Sequence, residues 1–130
     1  MALDPRALGP AERDFLAERH LATLTTLRPD GTPHVVAVGF TWDDDARLVR
    51  VITNGTSKKA RNVADGSARA VVAQGEGRRW LSLEGVPTVS DDPERVAEAV
   101  RRYALRYRQP SENPNRVVVE IAVDRGLGSA

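Results

Sequence analysis

The sequence predicts one domain, residues 1–130, of mainly β structure with helices (α+β), in which six antiparallel strands form a small barrel. Three observations predict this. Short β-branched, apolar runs are separated by glycine, proline and aspartate turns. One long amphipathic helix pattern precedes the last of these runs. The chain has 130 residues, 41% of them hydrophobic, which is enough for one core. A barrel is favoured over an open sheet because closure removes exposed edge strands.

A short helix followed by a hairpin is predicted for the first third of the chain. The helix runs from Pro10 to Arg19, and its proline suits the first helical turn. The hairpin strands run from Leu21 to Leu27 and from Pro33 to Trp42, joined by a turn at Arg28-Pro29-Asp30-Gly31. In the second strand, alternation predicts a bulky face at the even positions Val36 to Trp42 and a small face at the odd ones.

The middle and end of the chain supply the other four strands. Asp43-Asp44-Asp45 is interpreted as a solvated turn, because contiguous carboxylates diverge and no calcium-binding loop surrounds them. Strands follow at Leu48 to Thr53, Ala68 to Gln74, Arg79 to Val89 and Arg116 to Val123. Gly85 and Pro87 indicate a bulge or an edge in the third of these.

Two further helices are predicted between these strands. Ser57 is a candidate N-cap for a short helix that ends at Ala64. Asp92 caps a long helix that begins at Pro93, and its apolar stripe is formed by Val96, Val100, Tyr103 and Tyr107.

Composition excludes several classes of function. The net charge of +1 argues against a nucleic-acid partner, which requires a basic field. The absence of cysteine excludes disulfides and thiolate metal sites. No signal-peptide pattern and no apolar run of ~20 residues is present, so we expect a soluble cytoplasmic protein without a membrane partner.

The two lysines of the chain are neighbours, Lys58 and Lys59, whereas the other 17 basic residues are arginines. They lie in the polar segment Thr53 to Asn62, which follows a predicted strand. Hydroxyls, a glycine and ammonium groups at the end of a strand suit a phosphate group. Chance clustering in a chain rich in arginine is the alternative interpretation.

The usual catalytic motifs are absent from the sequence. There is no nucleophile elbow, Walker loop or dinucleotide-binding glycine motif, and the two histidines, His20 and His34, have no assignable metal partners. No metal site and no catalytic side chain is therefore assigned. A phosphate loop beside a strand face of small residues favours cofactor binding, in which the cofactor performs the chemistry.

Three segments carry a family resemblance. Leu21 to Leu24 with Asp30 to Phe40 resembles the opening hairpin of the flavin- and deazaflavin-binding split β-barrel proteins, relatives of pyridoxamine phosphate oxidase. Ser57 to Asn62 resembles their phosphate-binding segment, and Arg79 to Gly85 resembles the strand that follows. Within this FMN-binding-like family, these stretches, with Arg102 to Arg108 and Arg125 to Ala130, are most similar to members that use reduced coenzyme F420 to reduce biliverdin to bilirubin.

The resemblance implies a homodimer that holds the cofactor in a groove between two split barrels. Lys59 is expected to hold the phosphate of F420, and small Ala37 to leave room for its ring. The implied cofactor-binding residues are His34, Val35, Val36, Ala37, Val38, Thr53, Ser57, Lys58, Lys59, Arg79 and Trp80. Biliverdin carries two propionates, for which Arg79 and Arg116 are candidate partners.

Several alternatives stay open at the level of the sequence. Trp80 could be a core residue, His34 a polar strand residue, and Lys58 either solvated or a partner of a polyglutamate tail on the cofactor. An FMN-dependent oxidoreductase would use the same loop. A non-catalytic F420 carrier or sensor, or a tetrapyrrole-binding protein, would also fit the sequence.

Overall fold

The computed structural model describes residues 1–130, which form eight strands and three helices. The strands are β1 (Ala2–Leu3), β2 (Ala22–Leu27), β3 (Pro33–Val38), β4 (Thr41–Asp43), β5 (Leu48–Asn54), β6 (Ala70–Glu76), β7 (Arg79–Ser90) and β8 (Arg116–Ser129). The helices are α1 (Pro10–Ala17), α2 (Lys58–Ala64) and α3 (Pro93–Arg106). None of the three helices has the length and apolar character that crossing a membrane would require.

All eight strands belong to one antiparallel sheet in the order β3-β2-β6-β7-β8-β5-β4, with β1 paired to β8. The two ends of this order, β3 and β4, are consecutive in the chain and are separated only by Gly39 and Phe40. No hydrogen-bonded ladder joins them, so the sheet is not closed. The mainly β, antiparallel fold class predicted from the sequence is confirmed.

The prediction of one continuous strand from Pro33 to Trp42 is wrong, because the chain bends at Gly39 and Phe40. At this corner, side chains at the C-terminal end of α3 form the hydrogen bonds with the backbone that a neighbouring strand would otherwise form. The backbone N–H of Phe40 donates to the Tyr107 hydroxyl at 3.2 Å, and the Phe40 carbonyl accepts from Arg106 Nη1 at 2.5 Å. With the two-residue strand β1, this division raises the count from the predicted six strands to eight.

The bend also changes which side chains face the core. Val38 and Phe40 are buried, as the predicted alternation requires, but beyond the corner Thr41 and Asp43 are buried and Trp42 is only half-buried. The predicted bulky face at the even positions holds, because half-buried Val36 and Trp42 also pack against the core. The difference from the prediction is that the odd positions Thr41 and Asp43 are buried as well.

The core lies inside the curved sheet, where Phe15 of α1, Leu24, Leu83 and Ile121 are fully buried. Strand β8 extends to Ser129, past the predicted end at Val123, because it follows β7 along almost its whole length. The predicted bulge occurs between Glu84 and Gly85. A Cβ atom on Gly85 would lie 1.9 Å from the carbonyl oxygen of Ala122, so only glycine fits there.

The predicted helix starts are confirmed by their caps. The Ser57 hydroxyl accepts from the N–H of Ala60 at 3.3 Å, and the Asp92 carboxylate accepts from the N–H of Arg95 at 3.0 Å. Helix α1 ends two residues earlier than predicted, at Ala17.

The interpretation of Asp43 as a solvated turn residue is wrong. Asp43 is buried and pairs with Arg50 Nη1 at 2.8 Å and with Arg102 Nη2 of α3 at 3.1 Å. Burial acts to raise the pKa of Asp43, but the hydrogen bonds from Arg50 and the N–H of Ala46, with the charge of Arg102, outweigh it and lower the pKa. Asp43 therefore fastens α3 to the strands beside the corner.

Candidate functional site

A cleft of about 370 Å³ opens where the ends of β3 and β5 meet α2, α3 and the loop before β8. We call it the Lys59 cleft. Residues at the ends of β3 and β5 form one part of its lining, and side chains from α2, α3, the loop before β8 and the start of β8 form the rest. The lining residues are Ala37, Val38, Gly39, Ile52, Thr53, Asn54, Lys59, Tyr103, Pro110, Asn113 and Arg116.

Five residues that the sequence singled out meet in the Lys59 cleft: Ala37, Val38, Thr53, Lys59 and Arg116. They come from β3, β5, α2 and β8, and are up to 79 positions apart in the chain (116 − 37). Ala37 is exposed, so its methyl group borders open space and not the core. The cleft thus combines a wall of small residues with two cationic side chains.

The segment that presents Lys59 is shaped by its own hydrogen bonds. The Thr53 hydroxyl donates to the Ser57 hydroxyl at 3.0 Å, and the N–H of Ser57 donates to the Asn54 carbonyl at 3.0 Å. The N–H of Gly55 donates to the carbonyl of Asn115 at 2.8 Å, which fixes the segment to the loop before β8. In this chain Ser57 therefore caps α2, so that Lys58 and Lys59 begin the helix at a defined position.

Lys59 is a half-buried cation without an acidic partner. No carboxylate oxygen lies within 4.0 Å of its ammonium group. Burial alone lowers its pKa. Because an uncompensated, partly desolvated charge is costly, this side chain is a strong candidate to bind an anion in the cleft.

His34 belongs to the same positively charged region, although it does not line the cleft. Burial lowers its pKa, and the charges of Arg28, Lys58 and Lys59 lower it further. Its Nδ1 atom is buried and has no hydrogen-bond partner. The charges of Arg28, Lys58 and Lys59 therefore disfavour protonation of His34.

Arg79 and Trp80, which the sequence placed at the cofactor, do not line the cleft of their own chain. The guanidinium of Arg79 pairs with Glu18 at 2.8 and 3.0 Å and lies over the ring of Phe15 at 4.4 Å. Trp80 is 41% exposed, so its interpretation as a core residue is wrong. On β3, Val35 is exposed and Val36 packs against the core.

Glu18, His20 and Glu76 form a cluster that the sequence did not predict. His20 Nε2 lies 2.9 Å from an oxygen of each carboxylate. Hydrogen bonds from Arg79 and His20 lower the pKa of Glu18 to about 2. Because Arg79 pairs with both carboxylates, the cluster is an ion-pair network that joins α1 to the β6–β7 hairpin.

Residues 8–129 match the family described as Pyridoxamine 5'-phosphate oxidase. The chain belongs to this family. The resemblance read from its sequence is thereby confirmed.

A protein with a functional name is also similar to this chain in sequence. The F420H(2)-dependent biliverdin reductase of Mycobacterium tuberculosis (strain CDC 1551 / Oshkosh) is 59% identical over 116 residues, which cover 89% of this chain and 84% of that protein.

Two solved structures resemble this one in fold. A conserved hypothetical protein from Mycobacterium tuberculosis superposes with a TM-score of 0.78 at 26% identity, covering 94% of this chain and 84% of its own. A structure described as F420 Reductase superposes with a TM-score of 0.74 at 23% identity, covering 92% and 98%.

The Lys59 cleft contains residues that sequence reasoning did not assign to a site, among them Gly39, Tyr103 and Asn113. The sequence pattern predicts Tyr103 in the apolar stripe of α3, and its ring does pack there, against the tilted ring of Tyr107 at 4.8 Å between centroids. The feature of the sequence that could have indicated a site role for Tyr103 is its hydroxyl group, because a residue needed only for packing does not require one.

Proposed function

We propose that this member of the pyridoxamine 5'-phosphate oxidase family is an F420H2-dependent reductase that converts biliverdin to bilirubin. Two findings support the proposal. The relative named for this activity is 59% identical over most of both chains. The observation within the structure that carries it is the half-buried Lys59 without an acidic partner, facing a cleft with a wall of small residues.

The cleft suits a cofactor that has a phosphate group and a flat ring. Lys59 and Arg116 supply the positive charge for the phosphate, and Thr53 and Asn54 supply polar groups beside it. Ala37 has a small, exposed side chain, which leaves room for a ring against β3. The same residue types would accept FMN, which stays the alternative cofactor.

The chain's contribution to the reaction is binding, orientation and exclusion of water. Reduced F420 supplies a hydride when it is bound. The ionisable side chains of the cleft are Lys59, Tyr103 and Arg116, with no carboxylate and no histidine among them, so no acid–base pair of the usual kind lines it. Holding the reacting groups together in the cleft lowers the entropic cost of the transfer.

A cofactor titration followed by a turnover assay tests this proposal. F420 is expected to bind more tightly than FMN, measured by fluorescence, and reduced F420 is expected to be oxidised only when biliverdin is added. Equal or reversed affinities would contradict the choice of cofactor. Tight F420 binding without biliverdin-dependent oxidation would favour a carrier or sensor.

A location in the cytoplasm stays a prediction from the sequence.

The outer face of the sheet supports a homodimer. Across five strands, one row of paired residues on this face is formed by Ala37, Thr23, Ala73, Ser82 and Leu127. These side chains are small or apolar, and none is buried, with Leu127 48% exposed. A row of this kind is typical of an interface. Because Ala37 also lines the Lys59 cleft, a second copy seated on this face would border the cleft.

We therefore expect sedimentation at micromolar concentration to give about twice the chain mass of 14.2 kDa. Ala73→Glu, which introduces a charge in the middle of the row, is expected to shift the protein toward a monomer and to weaken F420 binding. Leu105→Glu changes an exposed apolar residue of α3 outside this row and serves as the control. A wild-type monomer that binds F420 tightly would contradict a groove shared by two chains.

A further inference from the structure

Tyr103 places the polar end of its ring at the wall of the Lys59 cleft. A Cβ atom built on Gly39 would lie 3.1 Å from Cε2 of Tyr103. Cε2 is bonded to the ring carbon that carries the hydroxyl, so the hydroxyl end of Tyr103 lies close to Gly39. Both residues line the cleft, beside the small side chain of Ala37.

The hydroxyls of two neighbouring tyrosines, Tyr103 and Tyr107, differ in their hydrogen bonds. Tyr103 lies on α3 and Tyr107 directly follows the helix, one turn further on, with the ring centroids 4.8 Å apart. The Tyr107 hydroxyl donates to the carbonyl of His20 at 2.6 Å and accepts from the N–H of Phe40 at 3.2 Å. The Tyr103 hydroxyl has no hydrogen-bond partner in the chain, and it is not among the buried polar atoms that lack one. The hydroxyl is therefore accessible to solvent, and Tyr103 is a lining residue of the cleft.

Packing accounts for the ring of Tyr103 but not for its hydroxyl. A phenylalanine would make the same contacts with Tyr107 and Gly39, without a polar group that has to be satisfied when the cleft is filled. Lys59 and Arg116 are cations, suited to a phosphate. Tyr103 lies instead against Gly39, and it lines the cleft together with Ala37, whose small exposed side chain leaves room for a flat ring.

We propose that Tyr103 is a positioning residue whose hydroxyl forms a hydrogen bond with the polar edge of the deazaflavin ring. This inference rests on the proposed function, because it takes F420 as the molecule in the cleft. The carbonyl and N–H groups on that edge need partners once water is excluded, and a phenol hydroxyl can donate as well as accept. The bond orients the ring relative to β3 without any proton being transferred.

Tyr103→Phe tests the proposal through binding, stability and absorption. One neutral hydrogen bond is worth roughly 1 kcal/mol, so the Kd for oxidised F420 is expected to rise about three- to ten-fold. The absorption band of the bound cofactor is expected to move toward its position in free F420, since the ring loses a polar contact. The melting temperature of the cofactor-free protein is expected to be unchanged, because the hydroxyl has no partner within the chain.

Tyr107→Phe is the matched control for the melting measurement. It leaves the N–H of Phe40 and the carbonyl of His20 without their partner, so its melting temperature is expected to fall by roughly 3–8 °C. Tyr103→Phe protein with the wild-type Kd and the wild-type absorption band would overturn the inference. A changed KM for biliverdin with an unchanged Kd for F420 would also overturn it, and would leave the proposed function intact. Failure of the wild-type protein to bind F420 would instead remove the proposed function.

Discussion

Phenylalanine in place of Ala37 is expected to lower turnover of biliverdin by at least ~100-fold, since even small misplacement of reacting groups has effects of this size. Ala37 lies on β3, opposite Thr23, and its exposed methyl group borders the Lys59 cleft. An aromatic ring at this position occupies the space beside Gly39 that the flat ring of the cofactor requires. The core is not touched, because the neighbours that face it are Val36 and Val38.

Thermal melting and F420 titration separate this effect from misfolding. The Ala37→Phe protein is expected to melt close to the wild-type temperature and to bind F420 weakly. Ala97→Phe places the same ring on an exposed position of α3, away from the cleft, and is expected to retain turnover. Full turnover by the Ala37→Phe protein would show that the cofactor ring lies elsewhere.

Methionine in place of Lys59 is expected to weaken F420 binding by about ten- to a hundred-fold, because a hydrogen bond to a charged group contributes roughly 1.5–3 kcal/mol. The same change is not expected to destabilise the cofactor-free protein. Burial lowers the pKa of Lys59 and no carboxylate compensates its charge, so removing the charge relieves a cost of folding. Methionine retains most of the apolar stem of lysine.

The combination of weaker binding with an equal or higher melting temperature distinguishes a binding residue from a structural one. Lys58→Met is the matched control, since Lys58 is adjacent but does not line the cleft, and its effect on the Kd is expected to be smaller. A larger effect of Lys58 would indicate contact with a polyglutamate tail. An unchanged Kd in the Lys59→Met protein would place the phosphate outside the Lys59 cleft.

Features governed by neighbouring residues in the chain could be predicted from the sequence. The caps Ser57 and Asp92, the turn at Gly31 and the bulge at Gly85 all follow from local backbone chemistry, and the structure contains each of them. The lysine pair could be located because a polar segment at the end of a strand is a local pattern. The structure brings four of the predicted site residues together in one cleft, namely Ala37, Thr53, Lys59 and Arg116. The alternation of side chains along the strands could not predict that these four meet.

Features governed by distant partners could not be predicted from local patterns. The bend at Gly39 depends on Arg106 and Tyr107, more than 60 positions away, which bond the backbone of Phe40. The burial of Asp43 depends on Arg102 of α3. Tyr103 has the spacing of a packing residue, and only the fold shows that it lines the cleft.

The position of Arg79 shows the same limit. Its sequence context matches the family's strand, but within one chain its guanidinium pairs with Glu18 and Glu76. Trp80, its neighbour, lies exposed on β7. Both residues can reach a Lys59 cleft only from a second copy of the chain, so their assignment depends on the dimer that sedimentation would test.

Direct transfer of hydride to biliverdin within the Lys59 cleft is the central claim, and an isotope label tests it most directly. Reduced F420 that carries deuterium at its transferable ring position is mixed with the protein and biliverdin in unlabelled water, without oxygen, and the product is analysed by mass spectrometry and NMR. We expect bilirubin with deuterium on its central bridge carbon, in proportion to the label supplied. Bilirubin without that label, or no bilirubin at all, would contradict the claim.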